Sequence, residues 1–173
     1  MTTTKFEFSL VLDRDPDPEA GGHLAEAVPY LATLEGGPGT PTLANIIIEA
    51  DNFPDAVATV VWQIEAAGYL VLGLETNDTV AIEEIAIRTG RPAESVRLLA
   101  EGGSGSGGFP RPVSSGTWDL YSWTAVADWF TKHFPDQAFD IDRQATAADH
   151  LLRARHLTRT DSHRAAWARL LSV

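Results

Sequence analysis

The chain has 173 residues, 44% hydrophobic and 21% charged, a balance that sustains a packed core and excludes global disorder. Its formal net charge of −11 disfavours general polyanion binding, because phosphate contacts need lysine and arginine. The absence of cysteine excludes disulfides, thiolate metal sites and cysteine nucleophiles.

From the N-terminus, Met1-Thr-Thr-Thr-Lys5 lacks the basic start and long apolar run of a signal peptide. No stretch reaches the roughly eighteen apolar residues of a membrane span. A cytoplasmic protein without a membrane partner is therefore expected. Lys5 to Leu12 alternate, with Phe6, Phe8, Leu10 and Leu12 on one face, which predicts a strand. Asp17 before Pro18 marks a helix start, and the helix runs to about Ala27, weakened by Gly21-Gly22. Val28 to Leu34 reads as a strand, the Gly36–Pro41 cluster as a turn, and Thr42 to Ala50 as a β-branched strand. Asp51 or Asn52 can cap a helix from Pro54 to Ala67, with Val57, Val60, Val61 and Ile64 at helical spacing. Gly68 ends that helix, and Tyr69 to Leu74 is another strand. The order is β-α-β-β-α-β, the ferredoxin-like split motif, over residues 1–76. Its expected core includes Phe6, Phe8, Leu10, Ile46, Ile48, Val57, Val61 and Ile64.

Charge divides the chain. Residues 1–79 hold thirteen acidic side chains against Lys5 and Arg14, whereas residues 80–173 hold eleven of each sign. Such asymmetry predicts modules with different partners, and the acidic front is open to a protein partner. Arginine outnumbers lysine eleven to two, which points to a GC-rich bacterial genome.

Residues 77–131 contain the informative motif. Ile82, Ile85, Ala86 and Thr89 share one helical face, Gly90-Arg91-Pro92 is a tight break, and Val96, Leu99 and Ala100 share the inner face of a second helix. Gly102–Gly108 reads as a flexible loop. Phe109–Val113 and Trp118–Trp123 read as extended, and Thr124 as the cap of a helix through Phe130, with Val126, Trp129 and Phe130 inward. Residues 132–173 read as an arginine-rich helical tail, with helices from about Asp142 to His156 and Asp161 to Leu171. It is expected to pack on the preceding domain or grip phosphates. The five tryptophans are expected in the core, with Trp118 allowed at the surface.

The string from Ile82 to Leu99, followed by Gly108-Phe-Pro-Arg-Pro-Val113 and Trp118 to Trp129, resembles the winged helix-turn-helix domain of the MerR, excisionase and AlpA-like group. In that group an FP-x-P string opens the wing and a V-x-x-W helix closes the domain. The layout over residues 5–131 is also similar to small actinobacterial helix-turn-helix proteins. The resemblance implies double-stranded DNA as partner and no catalysis. The outward stripe of the second helix is Glu94, Arg97, Leu98 and Glu101, and two of the four are acidic. Ala81 stands where that group has Thr or Ser as a cap, and Asp119 where it often has Arg.

The DNA contacts expected are Arg91, Glu94, Ser95, Arg97, Leu98 and Arg111. Arg97 suits guanine or a phosphate, Arg91 and Ser95 suit phosphates, and Glu94 suits cytosine N4. A single short reading helix is weak, so a homodimer is expected.

Other chemistry finds no support. The GxGxxG string at 103–108 follows a helix and runs into Phe-Pro, the wrong context for a dinucleotide. Asp13, Asp15, Asp17 and Glu19 imitate a calcium loop, but Pro18 stands at its glycine position and Leu24 at its bidentate glutamate. The five histidines lack metal spacing, and there is no nucleophile elbow. No cofactor, metal or catalytic residue is expected. The expectation is thus an α+β chain: a ferredoxin-like domain, a winged helix-turn-helix and a helical tail, acting as a bacterial transcriptional regulator. The alternative is an interaction or adaptor protein whose helix-turn-helix no longer binds DNA.

Overall fold

The computed structural model describes residues 3–103 and 107–172. The chain is α+β and folds as two compact units: one joins residues 1–75 to 144–173, the other holds 76–143. This differs from the three consecutive segments read from the sequence. The tail is divided, because a helix in its second part buries Ala145 and Leu152 in the core of the first unit.

In the first unit, β1 (Thr4–Leu12), α1 (Pro18–Ala27), β2 (Leu31–Gly37), β3 (Thr40–Ala50), α2 (Phe53–Ala66) and β4 (Val71–Leu74) follow in the order β-α-β-β-α-β. The strands form one antiparallel sheet in the order β2-β3-β1-β4. Central pairing is in simple register, with Phe6 opposite Ile48, Phe8 opposite Ile46 and Leu10 opposite Ala44. Period two explains the faces. Leu10, Leu12, Ala44, Ile46 and Ile48 are buried, and Phe6 and Phe8 are half-buried against the ring of Phe53. On the other face Asn45 links Ser9, Thr33 and Glu35 by side-chain hydrogen bonds.

The caps follow local chemistry. Asp17 accepts from the Ala20 N–H at the start of α1, and Asn52 from the Asp55 N–H at the start of α2. Gly39, at φ +82°, lets the chain turn between β2 and β3. The aspartates that imitate a calcium loop are used structurally: Asp13 accepts from the Leu70 N–H at 2.8 Å, Asp15 bonds Thr42, and Asp17 is the cap.

The helix α6 (Arg143–Leu157) joins this unit through one buried carboxylate. Asp149 Oδ1 accepts from the Leu74 N–H of edge strand β4 at 2.9 Å, and Arg153 Nε donates to both Asp149 oxygens. Gly73 makes the approach possible, because a Cβ there would lie 2.6 Å from Asp149 Oδ1. Arg155 and Arg159 both donate to Glu65 of α2. The predicted final helix is a short α7 (Arg164–Ala168) with a 3-10 turn (Arg169–Ser172).

Two tryptophans correct the expected core. Trp62 is 73% exposed and Trp167 50% exposed, whereas Trp123 and Trp129 are buried and Trp118 is 70% exposed. Trp62 follows Val61 by one position, about 100° around the helix, so burying Val57, Val60, Val61 and Ile64 turns it outward.

The second unit contains β5 (Thr79–Val80), α3 (Ile82–Thr89), α4 (Ala93–Ala100), β6 (Tyr121–Ser122) and α5 (Trp123–His133). β5 and β6 pair antiparallel. The glycine-rich loop expected at 102–108 includes 104–106, which lie outside the described residues. The expected Thr124 cap is replaced by Ser122, whose Oγ accepts from the Ala125 N–H. The Thr124 N–H instead donates to buried Asp78 at 2.7 Å. Among the described residues no helix is long and apolar enough to cross a membrane.

Candidate nucleic-acid interface

The helix pair α3–α4 is built on its inner faces. Ile82, Ile85, Ala86 and Thr89 of α3 and Val96 and Leu99 of α4 are buried together with Trp123, Val126 and Phe130. Gly90 ends α3 in the left-handed region, at φ +65° and ψ +25°, and no Cβ would meet an obstacle there. Its role is conformational. The Arg91 N–H donates to the Ala86 carbonyl at 3.0 Å, and Pro92 precedes α4. Ala81 gives α3 no side-chain cap, but Glu83 and Glu84 in its first turn favour the helix dipole.

After the glycine-rich segment the chain is anchored by aromatic packing. Phe109 meets the rings of Tyr121, Trp129 and Phe130 edge-on at 5.9, 5.1 and 6.2 Å. The Trp129 indole N–H donates to the Gly107 carbonyl. The chain then doubles back: the Val113 N–H donates to the Leu120 carbonyl, and the Leu120 N–H to the Ser114 carbonyl. The regular strand is shorter than the predicted Trp118–Trp123, only Tyr121–Ser122.

The residues singled out from sequence fall into three environments. Glu94, Arg97, Leu98 and Glu101 are exposed on α4, and Ser95 is half-buried near its start. Arg97 is not free: Nη1 donates to Glu94 at 2.9 Å and Nη2 to Glu83 at 3.1 Å. The Arg91 guanidinium lies over Phe134 at 4.1 Å and Phe130 at 5.2 Å. That stacking ties it to the core of the unit. Arg111 is exposed, away from the α4 stripe in sequence, and forms no ion pair with any described residue.

Sequence reasoning missed a cleft of about 400 Å³ between α4 and the 113–120 turn-back. Arg97, Glu83, Glu101, Trp118, Asp119 and Tyr121 line it. Burial, and then the neighbouring Asp119 carboxylate, push the Tyr121 phenol above its ordinary value. The cleft is therefore acidic with an aromatic wall. Across residues 76–143 there are ten acidic and six basic side chains.

No protein family, curated protein or solved structure matches the chain.

Proposed function

We propose that residues 77–131 form a winged helix-turn-helix that reads a short double-stranded DNA site, and that residues 1–76 form a ferredoxin-like domain. The protein is then a bacterial transcriptional regulator, works by binding alone, and resides in the cytoplasm. The observation that carries this reading is the α3–Gly90–α4 pair, whose inner face is buried while Glu94, Arg97, Leu98 and Glu101 stay open to solvent. The Phe109 anchor followed by the turn-back at 113–120 supports a wing. The β-α-β-β-α-β order and the β2-β3-β1-β4 sheet support the ferredoxin-like arrangement. On this reading Arg97 leaves its carboxylate partners to meet guanine, and Arg111 meets a phosphate.

A second reading, an interaction protein that has lost DNA binding, is favoured by the two carboxylates on Arg97 and the acidic cleft beside it. Binding isotherms at one fixed salt concentration, on selected and scrambled DNA, separate the two. Arg97→Ala is expected to weaken binding to the selected site by about 1–3 kcal/mol. Arg153→Ala, whose guanidinium sits on Asp149, is expected to leave both DNAs unaffected. Equal binding by parent and Arg97→Ala on both DNAs would put the interaction protein first.

A further inference from the structure

The first unit carries an apolar groove of about 470 Å³ between α2 and α6. Helical spacing of four places Pro54, Ala58 and Trp62 along its α2 side, and Ala147 and Leu151 along its α6 side. Trp62 and Leu151 are 73% and 46% exposed. We infer that this face is a two-fold interface between two copies of the chain, in which Trp62 of each copy enters the groove of the other.

Charge selects the occupant. Among the described residues the only charged groups lining the groove are Glu65 and Arg155, and they bond each other at 2.9 Å. Arg159 holds the same Glu65 oxygen at 3.2 Å. A basic partner finds no free carboxylate there, and an acidic partner or nucleic acid finds no unengaged cation lining the groove. Apart from that pair the unit that carries the groove is acidic, with thirteen acidic against six basic side chains over residues 1–75 and 144–173. Two copies with net charge −11 repel each other, least where the face is neutral. The same face on a second copy is such a surface.

Shape agrees with charge. A two-fold contact uses one patch twice, so knob and hole must lie on that same patch. Here Trp62 is the knob at the rim, and the groove is the hole. Its volume falls in the range of about 300–1,000 Å³ that holds drug-sized molecules, so an indole fits. Ala58 and Ala147 keep the helix surfaces low enough for close approach. The two helices have 14 and 15 residues, hence lengths of roughly 21 and 22 Å. A contact confined to that face belongs with small interfaces, and we take micromolar association as its expected strength. None of this depends on DNA binding, and its test contains no DNA.

The full chain is followed by sedimentation velocity from about 1 to 300 μM, a range set by the expected strength. The mass is expected to rise with concentration from 18.7 kDa toward twice that value. Trp62→Glu and Leu151→Glu are each expected to weaken association at least about tenfold, since each buries two like charges across the two-fold. Both positions are exposed, so far-UV circular dichroism should match the parent. The parent has no cysteine, so Ala58→Cys is expected to form a disulfide-linked dimer under mild oxidant, and Glu7→Cys on the solvated sheet face is not. A parent that stays monomeric throughout overturns the inference. So does a dimer that survives both glutamate variants, or one that Glu7→Cys links as readily. A monomer that dimerises only after removal of residues 159–173 would mean that the C-terminal segment covers the groove, and also overturns it.

Discussion

Replacing Asp149 with alanine removes the carboxylate that fastens α6 to the sheet. Asp149 is 6% exposed, and its Oδ1 is the acceptor for the Leu74 N–H. Without it a buried edge-strand donor loses its partner, which costs about 1–3 kcal/mol, and a hydrogen bond to a charged group sits in the upper part of that range. The accompanying pair with Arg153 adds little, because that guanidinium is 58% exposed and exposed pairs contribute under about 1 kcal/mol. The expected loss is therefore about 2–3 kcal/mol, read as a roughly 30- to 150-fold acceleration of hydrogen exchange at the Leu74 amide. Gly73→Ala attacks the same bond from the other side by placing a Cβ 2.6 Å from Oδ1. Both changes break one contact, so their effects should not add in the double variant. Asp149→Asn keeps an acceptor and should lose less. If Asp149→Ala costs no more than Arg153→Ala, or the double variant is additive, the carboxylate does not hold α6 in place.

Burial raises the Glu65 pKa, but Arg155 and Arg159 more than offset it and hold the carboxyl below its ordinary 4.5. Its contribution to stability is thus fully present above the unfolded value and is lost as pH falls through the lowered folded one, so the gap in urea midpoint between parent and Glu65→Gln should be largest near neutrality and shrink as pH falls below 4.5. Gly90→Ala should destabilise the second unit by about 1–2 kcal/mol through the left-handed backbone alone, and urea unfolding followed through Trp123 and Trp129 would register it. Asp78→Ala strips the carboxylate from the Thr124 N–H and should cost that unit about 1–2 kcal/mol by the same measurement, with Asp78→Asn recovering part of it.

What the sequence makes legible is what repeats locally. The alternation through Phe6, Phe8 and Leu10 predicts β1 because one face of the sheet is buried and the other wet. Asp17-Pro18 and Asn52 predict helix starts because the cap bond closes within three residues. The inner faces of α3 and α4 follow from helical period in the same way. The place of α6 does not. Its apolar positions make no strong stripe, and it is seated by an aspartate whose partner lies 75 positions earlier. Hydrophobicity alone puts Trp62 inside, yet the valine face of α2 already sets the helix rotation. For the candidate site, the exposed stripe on α4 was legible from spacing. The state of Arg97 was only half so: Glu94 is its i−3 neighbour, but Glu83 reaches it across the turn from α3.

The pairing of cations sets a limit on how this chain could hold DNA. Of the six basic residues in 76–143, Arg88 is paired with Glu84, Arg143 with Asp128, Arg97 with Glu83 and Glu94, and Arg91 lies on aromatic rings. Arg111 and Lys132 form no ion pair with any described residue. With Arg97 on guanine, Arg111 and Lys132 leave about two phosphate contacts per copy from this unit. Each neutralised phosphate contributes about −0.9 to the slope of log K against log salt, so the slope should be near −2 for one copy and about −4 for two. The DNA reading with a dimer through α2 and α6 therefore expects a slope near −4 that falls to about −2 per bound chain in Trp62→Glu. A slope near zero would leave the acidic face of α4 to a protein partner. A slope much steeper than −4 would require cations outside residues 76–143, with Arg164 and Arg169 the exposed candidates outside any ion pair among the described residues.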